Sequence, residues 1–440
     1  MALASHVDVK KELSNPPGLY AAVTAIRDSQ LNVDDYIAAC LRRVEAEEGR
    51  LRALVRCDYD YAEKRAYVFD RMPSNRREPI HGIPCVAAAT IDIKGSSCGF
   101  GSELHRDRIA TDDAAIIAQA RKAGAIVLGT AASAEFGCFG AGAIRNPYAE
   151  DRSAGGSGAA AAVAAGMAPL AFERRVDGAI SIPASYCGVF GLKVSRGAIA
   201  ANGMLSLAPS LEATGFYVRN ALDVGFVARV FLGHRAPARV EAGFAPETGG
   251  LAVHILDGPS SYRIKPAARS ALNRAIMALS DKRVDVARLR LSPACVKAES
   301  CYDTIFSYEV ARKLARDRDR EPERMGAEAQ SRIDHGRRID AGAYEQSRRD
   351  AIGMRSELLD HLTGDTVILD VASEDVAPPH DTDSGWSPGQ ALWALAGIPT
   401  LGVPCGMADG LPVGVQIAAA PGREDLLARV AGIIEDRIGQ

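Results

Sequence analysis

The run Ala159-Ala160-Ala161-Ala162-Val163-Ala164-Ala165-Gly166 constrains the architecture of this chain more than any other segment. Alanine is the best helix former, and a helix that carries little more than methyl groups on every face can lie against neighbours all round. Such a helix suits the centre of a large domain. The turn Ala154-Gly155-Gly156-Ser157-Gly158 leads into it. Glycines ahead of a helix leave backbone N–H groups free to point at an anion or a developing oxyanion. A serine there either caps the helix or acts in catalysis. The turn lacks the Lys-Ser/Thr ending of a nucleotide-binding loop, which argues against a phosphate cradle.

The rest of the chain alternates helix and strand signals. Leu19 to Leu54 reads as two helices, the second starting at Val33-Asp34-Asp35-Tyr36-Ile37, with Ile37, Leu41, Val44 and Leu51 near helical spacing. Ala114 to Ala123 reads as a helix ended by Gly124 and followed by the apolar strand Ala125-Ile126-Val127-Leu128-Gly129. Val253 to Asp257, Thr366 to Asp370 and Ile398 to Val403 repeat the strand signal. This is the rhythm of an α/β sheet. Lys265 to Leu279 and Tyr308 to Leu362 form a more polar helical region, about residues 262–362, that reads as inserted between the strands at Val253 and Thr366. Val376 to Gly385 is a loop by composition. The expectation is a single domain over 1–440.

The composition is that of an ordinary globular protein, with 47% hydrophobic and 24% charged residues. A formal net charge of -3 offers no basic field for nucleic acid or an anionic membrane. Basic residues cluster in Arg312–Arg324, but acids interleave with them, so that stretch reads as a solvated helix face. The nine cysteines show neither CxxC spacing nor histidine partners, so neither a metal site nor a disulfide framework is expected, and no cofactor is called for. Cys85, Cys187 and Cys405 read as buried thiols. Met1 to Asn15 carries charges without an apolar core, unlike a signal peptide, and no stretch approaches the roughly 20 apolar residues of a membrane span. A cytoplasmic setting is the expectation.

Two further stretches carry the functional signal. One is Gly82-Ile83-Pro84-Cys85-Val86-Ala87-Ala88-Ala89-Thr90-Ile91-Asp92; the other is Asp177-Gly178-Ala179-Ile180-Ser181-Ile182-Pro183. Around them stand Gly129-Thr130, Glu135-Phe136-Gly137, Asn146-Pro147-Tyr148, Cys187-Gly188-Val189-Phe190-Gly191-Leu192-Lys193, Leu207-Ala208-Pro209-Ser210-Leu211 and Asp409-Gly410-Leu411-Pro412-Val413-Gly414-Val415-Gln416. Together, and in this order from about Leu31 to about Leu427, they resemble the amidase signature family, the Ser-Ser-Lys amide hydrolases. The resemblance implies a mixed central β-sheet flanked by many α-helices. It also implies a mechanism in which a lysine takes a proton from a serine held in a cis peptide. That serine relays to a nucleophilic serine, and backbone N–H groups just before the nucleophile bind the oxyanion.

Matched position by position, the relay serine is Ser157, but the lysine position is Ala88 and the nucleophile position is Ala179. A methyl group neither attacks a carbonyl nor accepts a proton. Where the family commonly reads Gly-Thr-Asp-Thr-Gly-Gly-Ser, this chain reads Glu173-Arg174-Arg175-Val176-Asp177-Gly178-Ala179, so a charged Asp177 replaces a glycine.

Ser157 and Asp177 are therefore the candidate catalytic residues. Asp177 is either a proton-transfer group or the ion-pair partner of Arg174 or Arg175, and Ser157 is either a relay or a helix cap. Glu173 reads as solvated or paired, and Cys138 and Tyr186 as packing residues that face the pocket at most. Gly155, Gly156, Gly178, Ala179, Phe136, Cys138 and Arg175 are the candidate lining of an inherited pocket for a small carbonyl or amide-like molecule, with no metal. The leading expectation is an amidase-like pseudoenzyme that binds such a ligand or serves a partner protein, a homodimer being one open form. The alternatives are an enzyme of non-hydrolytic chemistry, such as proton transfer, cyclisation or condensation, and a residual amidase.

Overall fold

The computed structural model describes residues 15–233, 249–257, 264–282, 284–382 and 388–438. Among them the strands are β1 (Leu54–Cys57), β2 (Pro84–Ala88), β3 (Ile126–Ala131), β4 (Leu170–Arg175), β5 (Phe190–Lys193) and β6 (Ala213–Val218), then β7 (Ala252–Asp257), β8 (Asp285–Arg290), β9 (Thr366–Val371), β10 (Thr400–Ala408) and β11 (Leu411–Ala418). They form one sheet in the order β1-β3-β2-β4-β6-β5-β10-β11-β9-β7-β8. Pairing is parallel between β3, β2 and β4 and again between β9, β7 and β8, and antiparallel through the middle of the sheet. The expected mixed α/β architecture is present.

The expected helices at Leu19–Arg27, Val33–Leu51 and Ala115–Lys122 form, and Gly124 ends the last with φ +95°. The alanine run becomes the helix Gly158–Ala164, with Gly158 to Val163 all buried. It packs on β4, β2 and the helix Ser181–Cys187. Small side chains allow these close approaches, so the glycine turn at its start is held deep inside the molecule.

The polar region differs from expectation in one respect. It contains the helices Pro266–Asp281, Ala298–Arg320, Ala327–Arg337 and Ala341–His361, but also β8, which pairs in parallel with β7. The sequence Asp285-Val286-Ala287-Arg288-Leu289-Arg290 is polar because an edge strand leaves half its side chains in water. In the segment Val376 to Gly385, 376–382 carries a 3-10 turn at His380–Thr382, and 383–385 lies outside the described residues. β10 and β11 form a hairpin through Asp409 and Gly410, both at positive φ, the two-residue turn that Asp-Gly favours.

Apolar packing divides into a main core around the sheet and a second cluster beneath the polar helices. The second cluster gathers Phe136, Phe139, Val176, Leu211, Phe306 and Trp393. Among the described residues, no helix is long and apolar enough to cross a membrane.

Candidate functional site

Three consecutive charged residues end β4, the strand against which the central helix packs, and all three are buried. Strand alternation sends Glu173 and Arg175 to one face and Arg174 to the other. Burying a charge is costly unless it is paired and hydrogen-bonded, so the partners define what this strand is for.

On the first face, Ser157 Oγ donates to Glu173 Oε2 at 2.5 Å and accepts from the Ala160 N–H at 3.1 Å. Ser157 thereby caps the central helix. Glu173 Oε1 accepts from the Arg174 N–H at 3.1 Å. Burial pushes the Glu173 carboxyl above its ordinary range, while the Arg175 charge and the Ser157 hydroxyl pull it back. Glu173 is thus paired and not solvated. Among the described residues no peptide is cis, so the cis serine that the resemblance implies is not found at Ser157.

Arg175 and Asp177 form a two-pronged ion pair, Nε to Oδ1 at 3.1 Å and Nη2 to Oδ2 at 2.7 Å. Arg175 Nη1 donates to the Gly155 carbonyl at 3.0 Å. Asp177 Oδ1 also accepts from the Ala179 N–H at 3.0 Å, and Tyr302 donates its hydroxyl to the Asp177 carbonyl at 3.2 Å. Burial is the largest influence and disfavours the Arg175 charge, but Asp177, Glu173 and Tyr217 together hold the guanidinium above its usual range. Arginine stays protonated throughout, so it cannot act as a base. The two changes from the family pattern explain one another: the arginine needs an anion, and Asp177 supplies it at a former glycine.

Ala88 ends β2 opposite Ala131 and is 0% exposed, and Ala179 is 0% exposed in a small apolar cluster with Ile182, Tyr186 and Ala377. Phe136, Cys138 and Phe139 join the second apolar cluster, where Phe139 bridges Phe136 and Phe306 at ring distances of 6.4 and 5.9 Å. Burial and the Asp177 charge push the Cys138 thiol well above its ordinary value, which removes it as a nucleophile.

Gly155, Gly156 and Gly178 all have positive φ, +67°, +69° and +78°. At Gly178 a Cβ would stand 2.7 Å from the Leu211 carbonyl oxygen and 2.9 Å from Ala394 Cβ. Gly178→Ala is expected to cost about 1–3 kcal/mol through backbone strain and this clash. Urea denaturation measures it, and an unchanged midpoint would contradict the geometry.

On the other face, Arg174 pairs with Glu212 and donates to Thr214 Oγ1 at 3.0 Å. A cavity of about 360 Å³ opens there beside Lys193 and Arg196. Lys193 donates to the Trp393 carbonyl at 2.7 Å, and burial, then Arg196 and Arg355, lower its amine to about 7. An unfolded lysine keeps its proton to about 10.5. Between these values the unfolded state binds a proton that the folded state lacks, so rising pH favours folding there. The stability difference between the wild type and Lys193→Met should therefore rise from pH 7 to 10. A difference that is flat across that window in denaturant titrations would reject the assignment.

The sequence reading placed Ser157, Gly155, Gly156, Arg175, Asp177, Gly178, Ala179, Phe136 and Cys138 around one centre; hydrogen bonds join Gly155, Arg175, Asp177 and Ala179, whereas Phe136 and Cys138 pack in the second apolar cluster. It missed Tyr302, which arrives from the polar helices with no local signal, and the direct contact of Glu173 with Ser157. The alternation of Glu173 and Arg175 after the apolar run Met167 to Phe172 was the available cue.

A family model described as Amidase matches residues 35–428. Relatives include a subunit of the glutamyl-tRNA(Gln) amidotransferase of Deinococcus radiodurans, 28% identical over 93% of this chain and 95% of the relative. The corresponding subunit from Roseiflexus sp. is 29% identical over 89% and 90%. Among solved structures, one described as a vestigial protein complex that reveals the evolutionary origins of an s-triazine catabolic enzyme superposes with a TM-score of 0.87. It is 24% identical over 96% of this chain and 98% of that one. A crystal structure of an amidase gives a TM-score of 0.85 at 24% identity, over 96% and 100%. With the fold, the landmarks and the family model in agreement over most of its length, the chain belongs to the amidase family.

Proposed function

We propose that this chain is a non-hydrolytic member of its family, a pseudoenzyme in which an internal ion pair closes the former reaction centre. The observation that carries the proposal is the Arg175–Asp177 pair, 1% and 2% exposed at the side chain, whose carboxylate also takes the Ala179 N–H. With methyl groups at Ala88 and Ala179, neither a base nor a nucleophile stands at the inherited positions. Asp177 as a proton-transfer group loses support, because both its oxygens are engaged by a cation that cannot release a proton. Ser157 loses support as a relay, because it is 0% exposed, caps a helix and donates to Glu173.

Of the two binding roles, serving a partner protein is the better supported. The relatives are named as subunits and one structural neighbour as part of a protein complex, whereas Ser157 and Ala179 are both 0% exposed. A single domain is supported by the membership of β7, β8 and β9 in the same sheet. Nine free cysteines fit a reducing, cytoplasmic setting. The test is a panel of simple amides and activated esters: the proposal expects no burst and no turnover above the uncatalysed rate. A burst of product equal to the enzyme concentration would overturn it.

A further inference from the structure

A second concavity, of about 600 Å³, lies between the helices Ala298–Arg320 and Ala341–His361 and the loop Leu207–Ser210. That loop separates it from the closed centre: the Leu211 carbonyl stands over Gly178, whereas Leu207, Pro209 and Ser210 line the groove. Five cations line it, Arg196, Arg312, Lys313, Arg348 and Arg355, against one carboxylate, Glu309. That carboxylate is already engaged. Its Oε1 accepts from the Tyr344 hydroxyl at 2.8 Å and its Oε2 from the Ser210 N–H at 3.1 Å.

None of the five cations forms an ion pair with a described residue, although neighbouring arginines of the same helical region do. Arg318 pairs with Asp334, Arg332 with Asp303 and Arg337 with Asp319. Arg312 and Lys313 are exposed, in keeping with the reading of Arg312–Arg324 as a solvated face, and both also line the groove.

Four of the cations are also held in place. Arg196 donates to the Ala394 and Leu395 carbonyls at 2.5 and 3.3 Å, and Arg355 donates to the Ala396 carbonyl, at the end of the helix Ala391–Ala396. Tyr308 and Tyr344 stack with ring centroids 4.2 Å apart and planes at 15°. Each carries the arginine four residues on: Arg312 lies 4.4 Å from the Tyr308 centroid and Arg348 5.7 Å from that of Tyr344. Arg196 reaches solvent at the lip, yet surrounding protein and the charge of Arg355 push it down to about 10. Like charges gathered in a concavity repel one another, and an anion placed among them relieves that repulsion.

We propose that this groove binds a small organic polyanion, a molecule with two or more phosphate or carboxylate groups, with the tyrosine pair against its uncharged part. This assignment does not depend on the reading of the closed centre. Calorimetry and thermal shift with inorganic tripolyphosphate and with citrate, at fixed ionic strength, test it. Saturable binding that raises Tm is expected, since a ligand of the native state stabilises it. Binding of tripolyphosphate alone identifies phosphate as the recognised group, and binding of citrate alone identifies carboxylate.

The double variant Arg312→Glu/Arg348→Glu, at two exposed side chains, should weaken binding at least about tenfold with Tm of the free protein little changed. Should that variant fold poorly, Arg348→Gln alone should weaken binding about threefold or more. Arg42→Glu/Arg76→Glu, equal in charge and outside the groove, should bind as the wild type does. The assignment is overturned if neither probe saturates, if the groove variants bind like wild type, or if the remote variant loses as much. Saturation by an oligoglutamate peptide alone would likewise reject a small ligand.

Discussion

Replacing Asp177 with alanine is expected to destabilise the protein by about 3–5 kcal/mol, the usual cost of stripping one partner from a buried ion pair. The Arg175 guanidinium would lose both of its bonds to Asp177, in a site 1% exposed. The Ala179 N–H would lose its acceptor as well. The double variant Arg175→Met/Asp177→Ala should recover most of the loss, because no unpaired charge then remains buried. Chemical denaturation of the two variants beside the wild type measures this. A single variant that costs less than about 1 kcal/mol would mean that water reaches Arg175, and with it a ligand.

The second large effect is expected from placing the lysine and serine that the family resemblance implies at Ala88 and Ala179. Ala88→Lys/Ala179→Ser should gain no amide hydrolysis and should lose stability by several kcal/mol. Ala88 is fully buried at the end of β2, so a lysine there must displace packed neighbours and desolvate its amine. The serine at 179 would meet the Arg175–Asp177 pair, which occupies the polar groups beside it. Turnover at a rate typical of an amidase would show that two methyl groups alone silence the chain and that the centre is otherwise open. The assay is release of ammonia from simple amides, read beside the denaturation midpoint.

The helices at Leu19, Val33, Ala115 and Gly158 were legible because each combines a periodic or uniform apolar face with a clear stop. β3, β7, β9 and β10 were legible as short apolar runs. β4 was not, because its second half is charged, and charge in a sequence normally reads as surface. Partners make Glu173, Arg174 and Arg175 tolerable there: the distant Ser157 and Glu212, and Asp177 two residues beyond Arg175. β8 escaped for the opposite reason, as an edge strand with too few apolar positions to stand out. At the candidate site the alanines at 88 and 179, where the resemblance implies a lysine and a nucleophile, were visible in the sequence, as was the charge at 177. That Asp177 chose Arg175 over Arg174 was not, since alternation along β4 separates the two arginines by a whole sheet face. The groove lay hidden because its cations come from Arg196 and from two helices that meet only in the folded chain.

The central claim is that Ser157 is enclosed and unreactive while no other nucleophile has replaced it. Intact mass after incubation with a serine-directed fluorophosphonate tests this most directly. The account predicts an unmodified chain under conditions that label a Ser-Ser-Lys amidase completely. A stoichiometric adduct that maps to Ser157 would contradict it.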